Sequence, residues 1–371
     1  MSEETVLVVG GGIAGLALAR ALRARDLPVE VAERSAGGTG GLAINLPGNA
    51  VAAFAALGLG DRLARFGRPI ARREYRSARG KLLFAVDEDE FWGAEARPRC
   101  VRRSDLLTLL SDGLDVKVRQ PVEVASLDGL EVTFSGGERE TYGFVAGADG
   151  VRSTVRAALF GATSVSASLL SAASWRFMAP NPGVDCWTVW SGAGGAALLI
   201  PVDDTEVYVY ASAVRGGPVD ADPSWLHTTF GGYPAPVRAV LDSVRDRPDA
   251  LLHSPIEEIR LPSWSSGRRV LIGDAAHATA PVWAQGAALA IEDALVLADL
   301  LAEGDWDTVG ARFEQHRRPR VTHVQAATDR FARAAGLPIW LRDRLLTIIG
   351  TRTYEETYAP LRDPAWRTEA W

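Results

Sequence analysis

Gly10, Gly12 and Gly15 follow the apolar run Val6-Leu7-Val8-Val9, and Glu33 closes a second apolar run at Val29-Glu30-Val31-Ala32. Strand, glycine turn, helix, strand and acid in that order suit an adenine dinucleotide. Gly10 permits a tight turn out of the strand, Gly12 lets a pyrophosphate reach the backbone without meeting a Cβ, and Gly15 lets the helix lie close on the sheet. Ile13 and Ala14 open that helix, predicted from Ile13 to Ala24, so its unpaired amides and the positive end of its dipole face the phosphates. Glu33, with Arg34 beside it, can accept hydrogen bonds from both ribose hydroxyls.

The remaining residues with chemistry of this kind are spread along the chain, and each sits where a strand feeds a turn or helix. Gly37-Gly38 and Gly40-Gly41 read as a flexible loop whose backbone can approach a flat ring, leading through Asn45 to a helix from about Asn49 to Leu57. Tyr75, Leu83 and Phe84 read as strands around the turn at Ala78-Arg79-Gly80, and Arg103 begins a short helix after Val101-Arg102. Strands are predicted at Val116–Val118, Val122–Val124 and Glu131–Phe134, followed by strand, turn and helix from Phe144 through Gly147-Ala148-Asp149-Gly150 to Arg156. Read locally, Asp149 before Gly150 is an Asx turn.

From Ser168 to Leu261 the composition turns to Trp, Tyr and β-branched residues punctuated by Gly and Pro, as in a mostly antiparallel sheet. Its most regular strand, Val207 to Val214, puts Tyr208 and Tyr210 on one face and Val207 and Val209 on the other. An apolar strand returns at Arg269-Val270-Leu271-Ile272, before Gly273-Asp274-Ala275-Ala276-His277 and a long helix from Gln285 to Ala302. The tail from Thr308 to Ile349 has helical spacing; its Leu337-Pro338-Ile339-Trp340-Leu341 stretch, with Leu345 and Leu346, reads as an amphipathic helix covering its own core.

A chain of 371 residues that is 47% hydrophobic buries a large core in two domains or one elaborated domain. The formal charge of −6 and the pI near 5.5 arise from intermixed signs with no basic block, which argues against nucleic acid as a partner. Lysine occurs only at Lys81 and Lys117, a bias with no functional content. Cys100 and Cys186 have neither metal-ligand nor CxxC spacing, so no metal and no disulfide framework are expected. The stretch from Val6 to Ala19 is glycine-interrupted and too short for a bilayer, and the acidic start lacks a targeting signal, so a cytoplasmic protein is expected.

Four motifs in order resemble the flavin-dependent aromatic hydroxylases of the para-hydroxybenzoate hydroxylase type, the group A flavoprotein monooxygenases. They are Gly10-x-Gly12-x-x-Gly15 with Glu33-Arg34; Arg103-x-x-Leu106; Gly147-Ala148-Asp149-Gly150-x-x-Ser153-x-x-Arg156; and Gly273-Asp274-Ala275-Ala276-His277 with Pro281 and Gln285-Gly286-Ala287. The compact salicylate and 6-hydroxynicotinate hydroxylases look most similar, since Ala284-Gln285-Gly286-Ala287 stands where many relatives carry Gly-Gln-Gly. The frequent Arg in the loop after Glu33-Arg34 is missing from Gly37–Asn45, and Ala288 replaces a later Asn.

The resemblance implies an α/β fold: a Rossmann-like FAD-binding domain, a mostly antiparallel substrate sheet and C-terminal helices. Residues 1-71, 98-167 and 262-330 would form the first, 72-97 and 168-261 the second and 331-371 the last. It implies FAD held at Arg103 by phosphate or ribitol, at Asp149 near the pyrophosphate and at Asp274 by the ribityl or pyrophosphate region, with Val124, Gly273 and Pro281 also at the cofactor. The helix starting at Gln285-Gly286-Ala287 would aim its amides at the flavin's pyrimidine edge, where charge collects on reduction. No second glycine turn is present, so NADH or NADPH would act as a transient reductant. The implied reaction is hydroxylation of an aromatic or polycyclic small molecule by molecular oxygen through a flavin C4a-hydroperoxide, in a monomer or homodimer.

Asn45, Trp175, Arg176, Trp190, Tyr208, Tyr210 and Trp283 are candidates for the substrate pocket. His277 falls in the flavin motif as a structural residue, and no general base is assigned among His227, His253, His316 and His323. Epoxidation, Baeyer–Villiger oxidation and a non-redox flavoprotein are the alternatives; Trp187-Thr188-Val189-Trp190, with Ile200-Pro201 distant, does not match the flavin halogenase motif.

Overall fold

The computed structural model describes residues 4–36, 42–161, 165–214 and 217–364. The Gly37-Gly38 and Gly40-Gly41 loop lies outside them, as do the final residues of the tail.

The strand Val6–Val9 is buried along its length, as a run of four apolar residues must be when both faces of a parallel sheet are covered. It is the centre of a five-stranded parallel sheet ordered Arg269–Leu271, Phe144–Gly147, Val6–Val9, Val29–Ala32, Lys117–Arg119. The helix Ile13–Arg23 packs against Gly286–Ala302, which is apolar almost all round and therefore buried. A small antiparallel sheet of Val124–Asp128, Glu131–Phe134 and Arg139–Thr141 stands beside this layer. Val122 is not in its strand as expected: its N–H is taken by the Glu33 carbonyl, and pairing begins at Val124.

A seven-stranded sheet runs Leu252–Pro255, Ala173–Pro180, Glu206–Ser212, Ala196–Pro201, Trp187–Ser191, Arg72–Ser77, Leu82–Asp87. All its pairs are antiparallel except Trp187–Ser191 with Arg72–Ser77, so a segment from early in the chain completes a sheet made mostly by residues 173–255. One face is buried under the helices Ser224–Phe230 and Ala235–Asp242. The other faces Ala43, Ala280 and Ala284.

The tail forms two helices, Trp306–Ala335 and Ile339–Arg362, parted at Gly336-Leu337-Pro338, where proline cannot continue the helical hydrogen bonding. The second helix turns Arg342, Gly350, Tyr354, Tyr358 and Leu361 inward, while Trp340 and Ile348 are 69% and 70% exposed. The core-covering face is thus the tyrosine and glycine side rather than the Trp-Leu stretch, because Gly350 is what lets the helix approach Phe84. No helix of the described residues is long and apolar enough to cross a membrane.

Candidate functional site

The glycine turn has the shape its residue types require. Gly10 has φ +109°, and a Cβ there would lie 2.5 Å from the Ala148 carbonyl oxygen; one on Gly15 would lie 1.8 Å from the Gly10 oxygen. Gly12 differs, since a Cβ built there meets no atom within 4 Å. The open space above Gly12 belongs to a cleft of about 260 Å³ lined by Gly10, Gly12, Glu33, Arg34, Arg103, Val124, Asp149 and Arg152 among others. Seven of these come from the sequence reading, and Arg152, an unspecified position of the third motif, adds a further cation.

Backbone amides fix the acid at the rim. Glu33 Oε2 accepts from the Gly11 N–H at 2.6 Å and Oε1 from Ser35 at 2.8 Å, leaving each oxygen a lone pair for a ribose hydroxyl. Asp149 Oδ2 accepts from the N–H groups of Thr154 and Val155 at 2.7 and 3.1 Å, while Oδ1 is buried without a partner. Burial pushes this carboxyl up, against the pull of its hydrogen bonds from Ser153 and the backbone. Asp149 therefore organises the start of the helix Thr154–Phe160 from within the cleft lining.

Arg156 ties the third motif to the fourth by donating to the Ala275 carbonyl at 3.0 Å. Gly273, at φ +58°, lies beside the first motif: a Cβ there would sit 3.1 Å from that of Ala14. Asp274 is exposed, yet protein surrounds it closely enough for burial to push its carboxyl up, with His277 pulling the other way. A Cβ on Gly286 would be 3.8 Å from Asp274 Oδ1, which places Asp274 at the mouth of the long helix. Pro281 is exposed, and Gly286 and Ala287 are half-buried.

The Gln285 side chain is fully buried and faces inward: its amide pairs reciprocally with Asn49 at 3.0 and 3.1 Å. Asn49 also donates to Glu292, which takes Arg317 and Arg320; Arg317 reaches Asp293 at 2.7 Å, and Asp293 Oδ2 accepts from the Gly273 N–H at 2.9 Å and meets His277 Nε2 at 2.7 Å. His277 is thus a member of a buried polar network that fixes both Gly273 and the helix start. Ala284, just before Gln285, holds the left-handed conformation at φ +54°.

The seven-stranded sheet sorts the pocket candidates by face. Tyr208 and Tyr210 cluster with Trp187, Ile200, Ala280 and Ala284, and Arg176, paired with Tyr210, shares their face. Asn45 stands two residues after Ala43 of that cluster, on the same face of its strand, and keeps Oδ1 buried and unpartnered. Trp175 and Trp190 do not join them: both point under the helices at 224–242, where the Trp175 indole donates to the Asp220 carbonyl. Odd and even positions of a strand face opposite ways, so the aromatic that does reach the inner face is Trp187, which the sequence reading passed over. Trp283 packs edge-on against Phe331 and Tyr358. Arg73 was also missed; it is buried opposite Trp187 in the adjacent strand.

Burial pushes the phenols of Tyr208 and Tyr210 up, so both stay neutral. Cys100 and Cys186 are buried, and burial pushes their thiols up as well, so neither is poised as a nucleophile.

Comparison with known proteins gives one consistent answer. The model of a family described as "FAD binding domain" matches residues 3–330. The chain is 32% identical over 370 residues to the 2-heptyl-3-hydroxy-4(1H)-quinolone synthase of Pseudomonas aeruginosa, covering 93% of this chain and 94% of that protein. It is 28% identical over 366 residues to the aurachin C monooxygenase/isomerase of Stigmatella aurantiaca, covering 94% of each. Klebsiella pneumoniae HpxO, solved with FAD and uric acid, superposes with a TM-score of 0.82 over 98% of this chain and 95% of that one, at 24% identity. The expected α/β fold, with its parallel sheet, antiparallel sheet and C-terminal helices, holds.

Proposed function

The chain belongs to the FAD binding domain family, among the group A flavoprotein monooxygenases, and we propose that it hydroxylates a flat, largely apolar aromatic or heteroaromatic molecule at the inner face of the seven-stranded sheet. The observation that carries this reading is the cluster of Trp187, Ile200, Tyr208 and Tyr210 with Ala280 and Ala284, which gathers aromatic and aliphatic side chains against the segment leading into the helix at Gly286. Such a surface, with a few polar groups among apolar ones, is what an aromatic ligand needs. Because the relative from Pseudomonas aeruginosa is a quinolone synthase, a bicyclic ring bearing an oxygen is the first substrate class to try.

The residues present fit FAD. Space above Gly12 at a helix N-terminus takes a pyrophosphate, Glu33 takes the ribose, and Arg34, Arg103 and Arg152 supply positive charge along the cleft. When bound, FAD supplies the activation of dioxygen with two electrons taken from NADH or NADPH, one oxygen atom entering the ring and the other leaving as water. The chain's own work is positional. Asp293 holds Gly273, and the Asn49–Gln285 pair holds the helix start, so the amides of Gly286 and Ala287 face a fixed direction where negative charge is stabilised. The apolar inner face excludes water and orients the ring. In this reading residues 1-71, 98-167 and 262-330 serve the cofactor, and 72-97 and 168-261 serve the substrate.

Anaerobic reduction of the bound flavin by NADH and by NADPH, with and without alkylated quinolones, phenols and polycyclic aromatics, tests the proposal. Reduction accelerated by one ring class, followed in air by a product heavier by one oxygen atom, is expected. Flavin that neither nucleotide reduces, whatever ligand is present, would overturn it in favour of a non-redox role.

A further inference from the structure

Arg73 is 1% exposed, a burial that a guanidinium tolerates only with partners. Its Nε donates to Glu88 at 2.7 Å, its Nη1 donates to the Tyr358 hydroxyl at 3.3 Å, and its carbon lies 3.7 Å from the centre of the Trp187 ring. Its Nη2 is buried with no acceptor in hydrogen-bond geometry, and the Tyr75 phenol is a further polar neighbour of the guanidinium. Glu88 accepts the Tyr354 hydroxyl on its other oxygen at 2.6 Å, and neither of its oxygens bonds Nη2.

The same shortage recurs in the rings around it. The indole nitrogens of Trp187 and Trp283 are buried without acceptors. Trp187 lies over Arg73, and Trp283 is joined to Arg73 through Tyr358, whose hydroxyl donates to the Trp283 carbonyl at 2.8 Å and whose ring is 5.8 Å from the Trp283 ring. Buried polar groups are nearly always paired, so unpaired donors gathered in one connected set of rings call for an explanation. Trp187 is part of the inner-face cluster with Tyr208 and Tyr210, which joins this donor set to the apolar surface described above.

We infer that Arg73, Trp187 and Trp283 form a recognition site for a neutral carbonyl oxygen conjugated to the substrate's ring. The inference rests on the reading of the inner face as the ring site and specifies what that ring carries. Only an acceptor satisfies three donors. A neutral one fits better than a carboxylate, because Glu88 already balances the guanidinium and a further anion would leave a buried net negative charge. A ring carbonyl opposite Arg73 accepts a charge-assisted hydrogen bond and fixes which edge of the ring is presented for oxygenation.

Binding of a 4(1H)-quinolone, and of the quinoline that lacks only the oxo group, to the FAD-loaded protein tests this by calorimetry. The oxo compound is expected to bind about tenfold to a hundredfold more tightly, the range of one hydrogen bond to a charged group. Trp187→Phe and Trp283→Phe remove N–H groups that make no bond in the protein while shrinking buried rings, so each is expected to stay folded with a lowered melting temperature and to reduce that preference severalfold. Arg73→Lys keeps the charge beside Glu88 but withdraws the Nη2 corner, and is expected to abolish most of the preference. Equal binding of the two compounds by the wild type, binding of neither, or a preference that survives in all three variants would overturn the inference. Ligand-accelerated flavin reduction with other rings would leave the hydroxylase reading standing in each of those cases.

Discussion

Gly12 separates the functional from the structural demand for glycine. A Cβ at Gly10 or Gly15 strikes backbone, whereas at Gly12 it strikes nothing in the protein. Gly12→Val is therefore expected to fold with a normal circular dichroism spectrum and to purify colourless, its side chain occupying the space of the pyrophosphate; a fully yellow variant would count against the cleft as the nucleotide site. Ala284 shows the opposite case, a residue with a Cβ in the left-handed region. That conformation costs about 1–2 kcal/mol, part of which Gly returns through its freer unfolded chain, so Ala284→Gly is expected to raise stability by roughly 0.5–1 kcal/mol in a denaturant titration. The turn glycines were legible because their constraint is local and repeats in a known order. The strain at Ala284 was not, because alanine by itself announces no special backbone.

The strands and helices show where pattern reading stops. Alternation correctly set Tyr208 and Tyr210 against Val207 and Val209, but it could not say which side of the sheet each strand's aromatics take, and Trp175 and Trp190 lie on the face away from Tyr208 and Tyr210. Nor does any local pattern join Asn49 to Gln285, or Arg73 to Tyr358, since these contacts exist only once distant segments have packed. Removing one member of the buried network around the long helix leaves a charge uncompensated. Asp293→Ala leaves Glu292 alone to balance both Arg317 and Arg320 and frees the Gly273 N–H, and a loss of about 3–5 kcal/mol is expected from chemical unfolding, with weaker retention of FAD on gel filtration. Gly350→Ala tests the docking of the last helix, because a Cβ there would lie 2.3 Å from Phe84; overpacking of this kind costs about 1–3 kcal/mol and is expected to lower the melting temperature without altering helix content.

For the whole molecule, buried carboxylates set the acid limit. Burial alone would push Asp293 up, but His277 and Arg317 outweigh it and hold the carboxyl down at about 2; Glu292 is likewise held below its ordinary range by Arg320 and Arg317. A carboxyl whose folded pKa is depressed stabilises the fold above its unfolded value, near 3.9 for Asp, and that contribution is lost as pH falls towards the folded value. Thermal melts are therefore expected to hold level as far as this pair is concerned above about pH 5 and to fall steeply between about pH 4 and pH 2. Asp293→Asn should flatten that decline.

The position of the last helix has a consequence for the making of the protein. Every residue lining the glycine-turn cleft lies between Val9 and Thr154, whereas Tyr354 and Tyr358, which clasp Glu88 and Arg73 beside Trp187, leave the ribosome far later. The residues of that cleft are thus translated long before the clasp around Arg73, and a message read only as far as Ala335 would encode every cleft residue but no such clasp.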